Sequence, residues 1–195
     1  MQETKSNEPG IPLNVEFEAK FINVDIPTFF NTLQRLGSET IKPRTLMRRA
    51  TFDIPGAQRG TFMRVRDEGD KITMTYKSLV SQSVSGMNEI EIDVSSFQAA
   101  RQILVLAGLS EATYEENYRE AYRLSNTQIT IDEWPGLPKF IEIEGPTEKD
   151  VRTTIDLLGL SINDALFGNV DIVYQTVLSK DISGLKQITF NDPPS

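Results

Sequence analysis

Apolar and polar residues alternate with a period of two in five stretches of the chain. Val15, Phe17, Ala19 and Phe21 interleave with Glu16, Glu18 and Lys20, and Met63 and Val65 with Arg64 and Arg66. Ile72, Met74 and Tyr76 interleave with Thr73, Thr75 and Lys77. Ile90 and Ile92 oppose Glu89 and Glu91, and Ile141 and Ile143 oppose Glu142 and Glu144. Successive side chains of a strand point to opposite faces, so each stretch predicts a strand with one apolar and one charged face. Helical spacing appears in three other places. Asp25 opens one helix, with Pro27 in its first turn and Phe29, Phe30, Leu33 and Leu36 packing before Gly37. Ser95 or Ser96 opens a second, carrying Phe97, Ala100, Ile103, Leu104 and Ala107 to Gly108. Thr147 opens a third, carrying Val151, Ile155 and Leu158 to Gly159. A capping side chain before the first turn and a glycine after the last are the start and stop signals. Asp164 to Leu178 predicts a further short helix.

The order strand, polar cap, helix, glycine recurs three times, and each of those strands carries Glu-x-Glu: Glu16 and Glu18, Glu89 and Glu91, Glu142 and Glu144. The units are unequally spaced, so this is not a solenoid. One antiparallel sheet receiving an acidic pair from three strands explains the recurrence. The charged faces collect the acids Glu16, Glu18, Glu89, Glu91, Asp132, Glu142 and Glu144 and the bases Lys20, Arg64, Arg66, Lys77, Arg119 and Arg123. Such faces either meet water as cross-strand ion pairs or curl around a shared interior. Helices covering the apolar side favour curling, which closes the edges of an antiparallel sheet and makes a polar-lined barrel.

Length and charge narrow the chemistry. The 195 residues, 38% of them hydrophobic, suffice for one core. A single domain is expected over 14–180, between a disordered tail at 1–13 and a loosely ordered segment at 181–195. Asp plus Glu outnumber Lys plus Arg by 28 to 20, for a net charge of −8. That balance is a poor basis for nucleic-acid binding, which needs a broad basic surface. With no cysteine and no histidine, disulfides, thiolate or imidazole metal sites and Ser-His-Asp catalysis are excluded. The first ten residues lack an apolar core, and the longest apolar stretch, around Ile103 to Leu109, is far too short for a membrane span. The expectation is a cytoplasmic protein with no membrane partner, and a homodimer is the default assembly.

No glycine-rich phosphate loop is present, so side chains must hold any phosphate. Clustered carboxylates attract divalent cations, and guanidinium and ammonium groups attract phosphate oxygens. Oxygen-only ligands select Mg²⁺ or Mn²⁺ over Zn²⁺. Residues alone thus point to a metal-dependent site for a compact, highly charged phosphate ligand.

Glu16-Phe17-Glu18-Ala19-Lys20 resembles the E-x-E-x-K signature of the CYTH superfamily, also called triphosphate tunnel metalloenzymes. In order along the chain, Phe52-Asp53, Arg64-Val65-Arg66, Thr75-Tyr76-Lys77, Glu89-Ile90-Glu91, Asn117-Tyr118-Arg119 and Ile131 to Gly145 resemble its further elements. The resemblance implies an α+β fold, mainly antiparallel β: an eight-stranded closed barrel enclosing a triphosphate tunnel, with helices outside. It implies that Lys20, Arg64, Arg66, Lys77, Arg119 and Arg123 hold phosphate oxygens, and that Glu16, Glu18, Asp132, Glu142 and Glu144 hold the metal ions. Lys20, Glu16 and Glu18 are its catalytic candidates, and Glu89 and Glu91 are partners that orient the bases. Members often carry a base where Asn117 stands, so either the clamp is weaker here or Arg123 compensates. Met47, Arg49 and Thr51 also replace residues common in the family.

Two reactions share this clamp. A class IV adenylyl cyclase converts ATP to cyclic AMP and pyrophosphate, and a triphosphatase hydrolyses inorganic or thiamine triphosphate. The Trp134-Pro135-Gly136-Leu137-Pro138-Lys139 turn resembles a loop of cyclase-like members and tilts the expectation that way. A non-catalytic polyphosphate- or nucleotide-binding module is the remaining alternative. Lys20 beside Glu16 and Glu18 should keep its proton, which suits a phosphate ligand and not a general base. Ser78 to Asn88, with Ser81, Ser83, Ser85 and Gly86, reads as a mobile connection or a lid.

Overall fold

The computed structural model describes the backbone of residues 14–58, 60–79 and 87–194, and the side chains of 17–58, 60–78 and 88–194. The expected tail at 1–13, most of the expected lid and the side chain of Glu16 lie outside these described residues.

Eight strands run β1 (Asn14–Phe21), β2 (Glu39–Asp53), β3 (Thr61–Asp67), β4 (Ile72–Leu79), β5 (Met87–Asp93), β6 (Ser110–Leu124), β7 (Thr127–Glu133) and β8 (Phe140–Gly145). Antiparallel ladders join them in the order β2-β3-β4-β5-β1-β8-β7-β6, and a further ladder pairs β6 with β2. Each of the eight therefore has a partner on both sides. A short β9 (Gln187–Ile188) adds to β6 in parallel. The three Glu-x-Glu strands β5, β1 and β8 are direct neighbours, with Glu18 opposite Glu144 and Lys20 opposite Glu142.

Helices α1 (Ile26–Arg35), α2 (Phe97–Leu106) and α3 (Glu148–Leu157) follow β1, β5 and β8, and α4 (Asp171–Leu178) comes late in the chain. Ser96 caps α2 by accepting from the Ala99 amide at 3.2 Å, and Thr147 caps α3 by accepting from the Asp150 amide at 3.1 Å. Asp25 stands at the start of α1 but accepts from the Thr28 hydroxyl instead of a backbone amide. Gly37, Gly108 and Gly159 end the helices in the left-handed region, where only glycine avoids strain.

The helices cover the apolar face of the sheet. Phe29 and Leu33 of α1 and Val151 and Ile155 of α3 pack with Ala19, Phe21, Ile129, Ile131, Ile141 and Ile143. Phe97, Ala100 and Leu104 of α2 pack on Ala50, Phe52 and Val65, and Val173 and Tyr174 of α4 pack on Trp134, Leu137 and Phe140. With the apolar side turned outward to the helices, the opposite face of each strand is left for the interior.

Three expectations need correction. Ile103, expected on the packed side of α2, is exposed, because it sits about 100° around the helix from Leu104. Phe30 is half-exposed, with its ring edge-on to Tyr122 at 6.0 Å. The stretch after residue 180, expected to be loose, is anchored: Ile182 and Ile188 are buried, β9 pairs with β6, and Phe190 packs on Tyr118.

Candidate functional site

The inward faces of the strands line a cavity of about 430 Å³, within the range of small-molecule sites. The expected residues Glu18, Lys20, Arg64, Arg66, Lys77, Glu89, Glu91, Arg119, Glu142 and Glu144 all line it. Alternation along each strand puts them there, since every second residue of β1, β3, β5 and β8 faces inward.

On the β1–β8 wall, the Lys20 ammonium stands 2.9 Å from Glu18 and 3.6 Å from Glu142. Burial works against that charge, but Glu142 and Glu18 outweigh it and hold Lys20 above its ordinary pKa. Lys20 is therefore a hydrogen-bond donor near neutrality, not a proton acceptor. The two carboxyls diverge. Burial raises Glu18, against the pull of Lys20 and with the push of Glu142. Glu142 is held low despite burial, by Lys20 and Arg119.

On the β3–β4–β5 side, bases stand against acids. Arg64 and Arg66 of β3 approach Glu91 at 3.7 Å each, and the Thr75 hydroxyl donates to the same carboxylate at 2.9 Å. Lys77 pairs with Glu89 at 2.5 Å. Glu89 and Glu91 thus sit against the bases.

Two expected site residues are placed elsewhere. Asp132 has no exposed surface and does not line the cavity. Its oxygens accept from Arg119 Nε and Nη2 at 2.8 Å each, Asn117 Nδ2 at 2.9 Å and the Thr130 hydroxyl at 2.9 Å. It therefore holds Arg119 from behind. Burial opposes the Arg119 charge, but Asp132 and Glu142 more than restore it. Arg123, two residues beyond the last inward-facing position of β6, is exposed at the strand end and away from the cavity.

Arg49 was not anticipated. It is buried, lines the cavity, and lies directly opposite Arg66 across β2–β3 and Glu115 across β2–β6. One Nη donates to Asn117 Oδ1, its guanidinium carbon stands 4.7 Å above the Trp134 ring, and Nε is 3.9 Å from Glu115. Burial pulls its pKa down to about 9, with Glu115 opposing and Arg64, Arg66 and Arg119 adding to the fall. Nothing in the Arg48-Arg49 pair tells which arginine points inward; the pairing of β2 decides it.

Trp134 is buried between Arg49 on one face and Tyr174, edge-on at 6.5 Å. Its ring lines the cavity beneath Arg49 and packs against α4.

A family model for the CYTH domain matches residues 14–156. The chain belongs to the CYTH family. A Methanocaldococcus jannaschii protein named as a candidate adenylate cyclase is 31% identical to this CYTH chain over 83 residues, 42% of the chain. That match spans about half of the curated relative, 47% of its length. Among solved structures, a Vibrio parahaemolyticus protein, also described as a candidate adenylate cyclase, superposes with a TM-score of 0.70 at 16% identity, covering 87% of this chain and all of its own (100%). A Hippeastrum protein described as an adenylyl cyclase candidate with dominant triphosphatase activity has a TM-score of 0.55 at 16% identity, over 85% of this chain and 96% of its own. At these identities the structural likenesses establish the shared fold.

The donor set also bears on a metal. Among the described residues no three acidic side chains already converge on one point. Glu18, Glu142 and Glu144 nevertheless occupy neighbouring inward positions, all of them oxygen donors. The residues fit a hard cation.

Proposed function

We propose that this CYTH domain is a metal-dependent enzyme acting on a triphosphate, held in a closed eight-stranded tunnel formed by the ring of ladders. The observation that carries the reading is the division of the cavity. Arg64 and Arg66 stand on β3, across the ring from the acid-rich β1–β8 pair, whereas Lys77 and Arg119 flank that pair from β4 and β6 and Lys20 lies on it. A linear polyanion with bound cations matches both halves.

In this reading Lys20, Arg64, Arg66, Lys77 and Arg119 donate to phosphate oxygens, and Glu89, Glu91 and Asp132 fix the directions of those donors. Glu18, Glu142 and Glu144, with Glu16 as the remaining candidate, would hold Mg²⁺ or Mn²⁺. The bound ion would supply Lewis-acid stabilisation of charge developing on the phosphoryl group. Fixed cations in a site sheltered from water stabilise that charge without reorganising. The partner is a small triphosphate: inorganic triphosphate, thiamine triphosphate or ATP.

We favour hydrolysis: water attacks the terminal phosphorus, the bond to the bridging oxygen breaks, and the remainder leaves with the clamp's cations on it. Arg49 over one face of Trp134 and Tyr174 packed edge-on leave little of this ring for stacking on a nucleobase, although it lines the cavity. The cyclase reading draws on the names of the Methanocaldococcus and Vibrio proteins. Incubation with each triphosphate and Mg²⁺ or Mn²⁺, with products resolved, separates the two. Orthophosphate without cyclic AMP supports hydrolysis, and cyclic AMP with pyrophosphate establishes the cyclase. Absence of both turnover and triphosphate binding overturns the tunnel reading.

A further inference from the structure

The interior of this barrel contains an arrangement that folding alone disfavours. Arg49 and Arg66 are directly opposed on antiparallel strands and point into the same cavity. Like charges directly opposite across a ladder destabilise a sheet, and a low-dielectric interior strengthens the repulsion. Arg64 and Arg119 line the same space and add to it.

The local anions do not balance Arg49. Arg66 has Glu68 at 2.6 Å, and Arg119 has Asp132 at 2.8 Å. The nearest acid to Arg49, Glu115, stands 3.9 Å away and is out of hydrogen-bond range. Arg49 Nε and Arg66 Nε are both buried with no hydrogen-bond partner. A buried donor left without an acceptor is costly and calls for a ligand or a water.

The remaining contacts of Arg49 hold it in place without neutralising it. Asn117 accepts from Arg49 through Oδ1 and donates through Nδ2 to Asp132, which grips Arg119. One hydrogen-bonded chain, Arg49–Asn117–Asp132–Arg119, therefore sets the positions of two guanidinium groups in the cavity. The Trp134 ring lies under the Arg49 guanidinium and leaves its N–H edge to donate to an acceptor.

We propose that Arg49 is a further anion ligand of this site, acting with Arg66 as a cross-strand guanidinium pair that takes a phosphoryl group of the substrate. The proposal rests on the cavity being a triphosphate site. It assigns to β2 the positive charge that β6 lacks at Asn117, a place the exposed Arg123 does not fill. A guanidinium fork offers a phosphoryl group two parallel donors, whereas a lysine would offer a point charge.

Calorimetric titration with inorganic triphosphate tests it. Against the wild-type protein, Arg49→Gln is expected to weaken binding about 10- to 100-fold, the loss of one charge-assisted hydrogen bond or more. Arg49→Lys, which keeps the charge, recovers part of the loss. Unchanged affinity in Arg49→Gln, or equal losses in the two variants, overturns the proposal. Arg66→Gln guards the underlying reading: if it too leaves affinity unchanged, the triphosphate site itself falls, and if it alone weakens binding, only the role of Arg49 falls. Nitrogen-15 spectra of the wild-type protein bypass any folding defect. The Arg49 Nε–H resonance should shift and slow its solvent exchange as triphosphate is added, and no change at saturation overturns the proposal.

Discussion

Asp132 separates a metal ligand from a group that holds an arginine. Four hydrogen bonds, two of them from Arg119 at 2.8 Å, converge on a carboxylate with no exposed surface. Asp132→Ala leaves Arg119 buried and paired with Glu142 at 3.4 Å. Removing one partner of a buried ion pair costs about 3–5 kcal/mol. For a domain of this size, one kcal/mol moves the melting temperature by roughly 2–4 °C, so the expected fall is roughly 6–20 °C. Thermal melts of ligand-free protein followed by circular dichroism at neutral pH read it directly. Thr130→Ala, which removes one neutral hydrogen bond, should cost only about 1 kcal/mol. The second readout is the Mn²⁺ dependence of turnover or triphosphate binding. Asp132→Asn should leave the half-saturating Mn²⁺ within about threefold of wild type, whereas Glu142→Gln should raise it by an order of magnitude or more. Asp132→Ala melting within about 2 °C of wild type, or Asp132→Asn shifting the metal dependence as far as Glu142→Gln, would refute the reasoning.

Glu142 is held below the ordinary carboxylate range, so its contribution to stability is complete above the unfolded value of about 4.3 and is lost as pH falls through its lower folded value. Acid melts of Glu142→Gln should accordingly show a shallower loss of stability below that pH than wild type, and parallel curves would contradict the assignment. A β-carbon at Gly145 would stand 3.0 Å from Thr127 Cγ2 and 3.3 Å from Val151 Cγ2. Gly145→Ala should therefore cost about 1–3 kcal/mol by overpacking, measured by urea denaturation, and a neutral result would show that α3 moves freely against β8. Trp134→Phe should leave the preference between ATP and inorganic triphosphate within about twofold in competition binding, because the ring packs under Arg49; a selective loss of ATP affinity would restore a base-recognition role.

How much was legible depended on periodicity. The five alternating stretches and three helices appear where the residue pattern put them, α2 and α3 with the expected side-chain cap, and the charged faces of β1, β3, β4, β5 and β8 do line one cavity. β2 and β6, each 15 residues long, were not seen as strands from alternation. β2 contains Pro43 and breaks register against β6 at Thr40/Lys42, Lys42/Thr45 and Thr51/Phe52, and in its regular stretch the inward Met47, Arg49 and Thr51 mix apolar, charged and polar side chains, so no apolar–polar alternation marks it. The roles of Arg49, Glu115 and Asn117 were hidden for the same reason.

Local chemistry determined a great deal by itself. Side-chain alternation assigned each strand an apolar and a charged face, caps and glycines bounded the helices, and the absence of cysteine and histidine restricted any metal to oxygen ligands. These follow from nearest neighbours in the chain, because the period of a strand and the geometry of a cap span only a few residues. Which charges meet was decided by the ladders. Glu-x-Glu strands about fifty or more residues apart became neighbours, Asp132 turned behind Arg119 instead of into the cavity, Arg123 came to lie at an exposed strand end, and Arg49 was brought opposite Arg66. Register across a sheet is a relation between distant segments, set by how bulged strands pair and by which face the helices bury, and no local pattern encodes it.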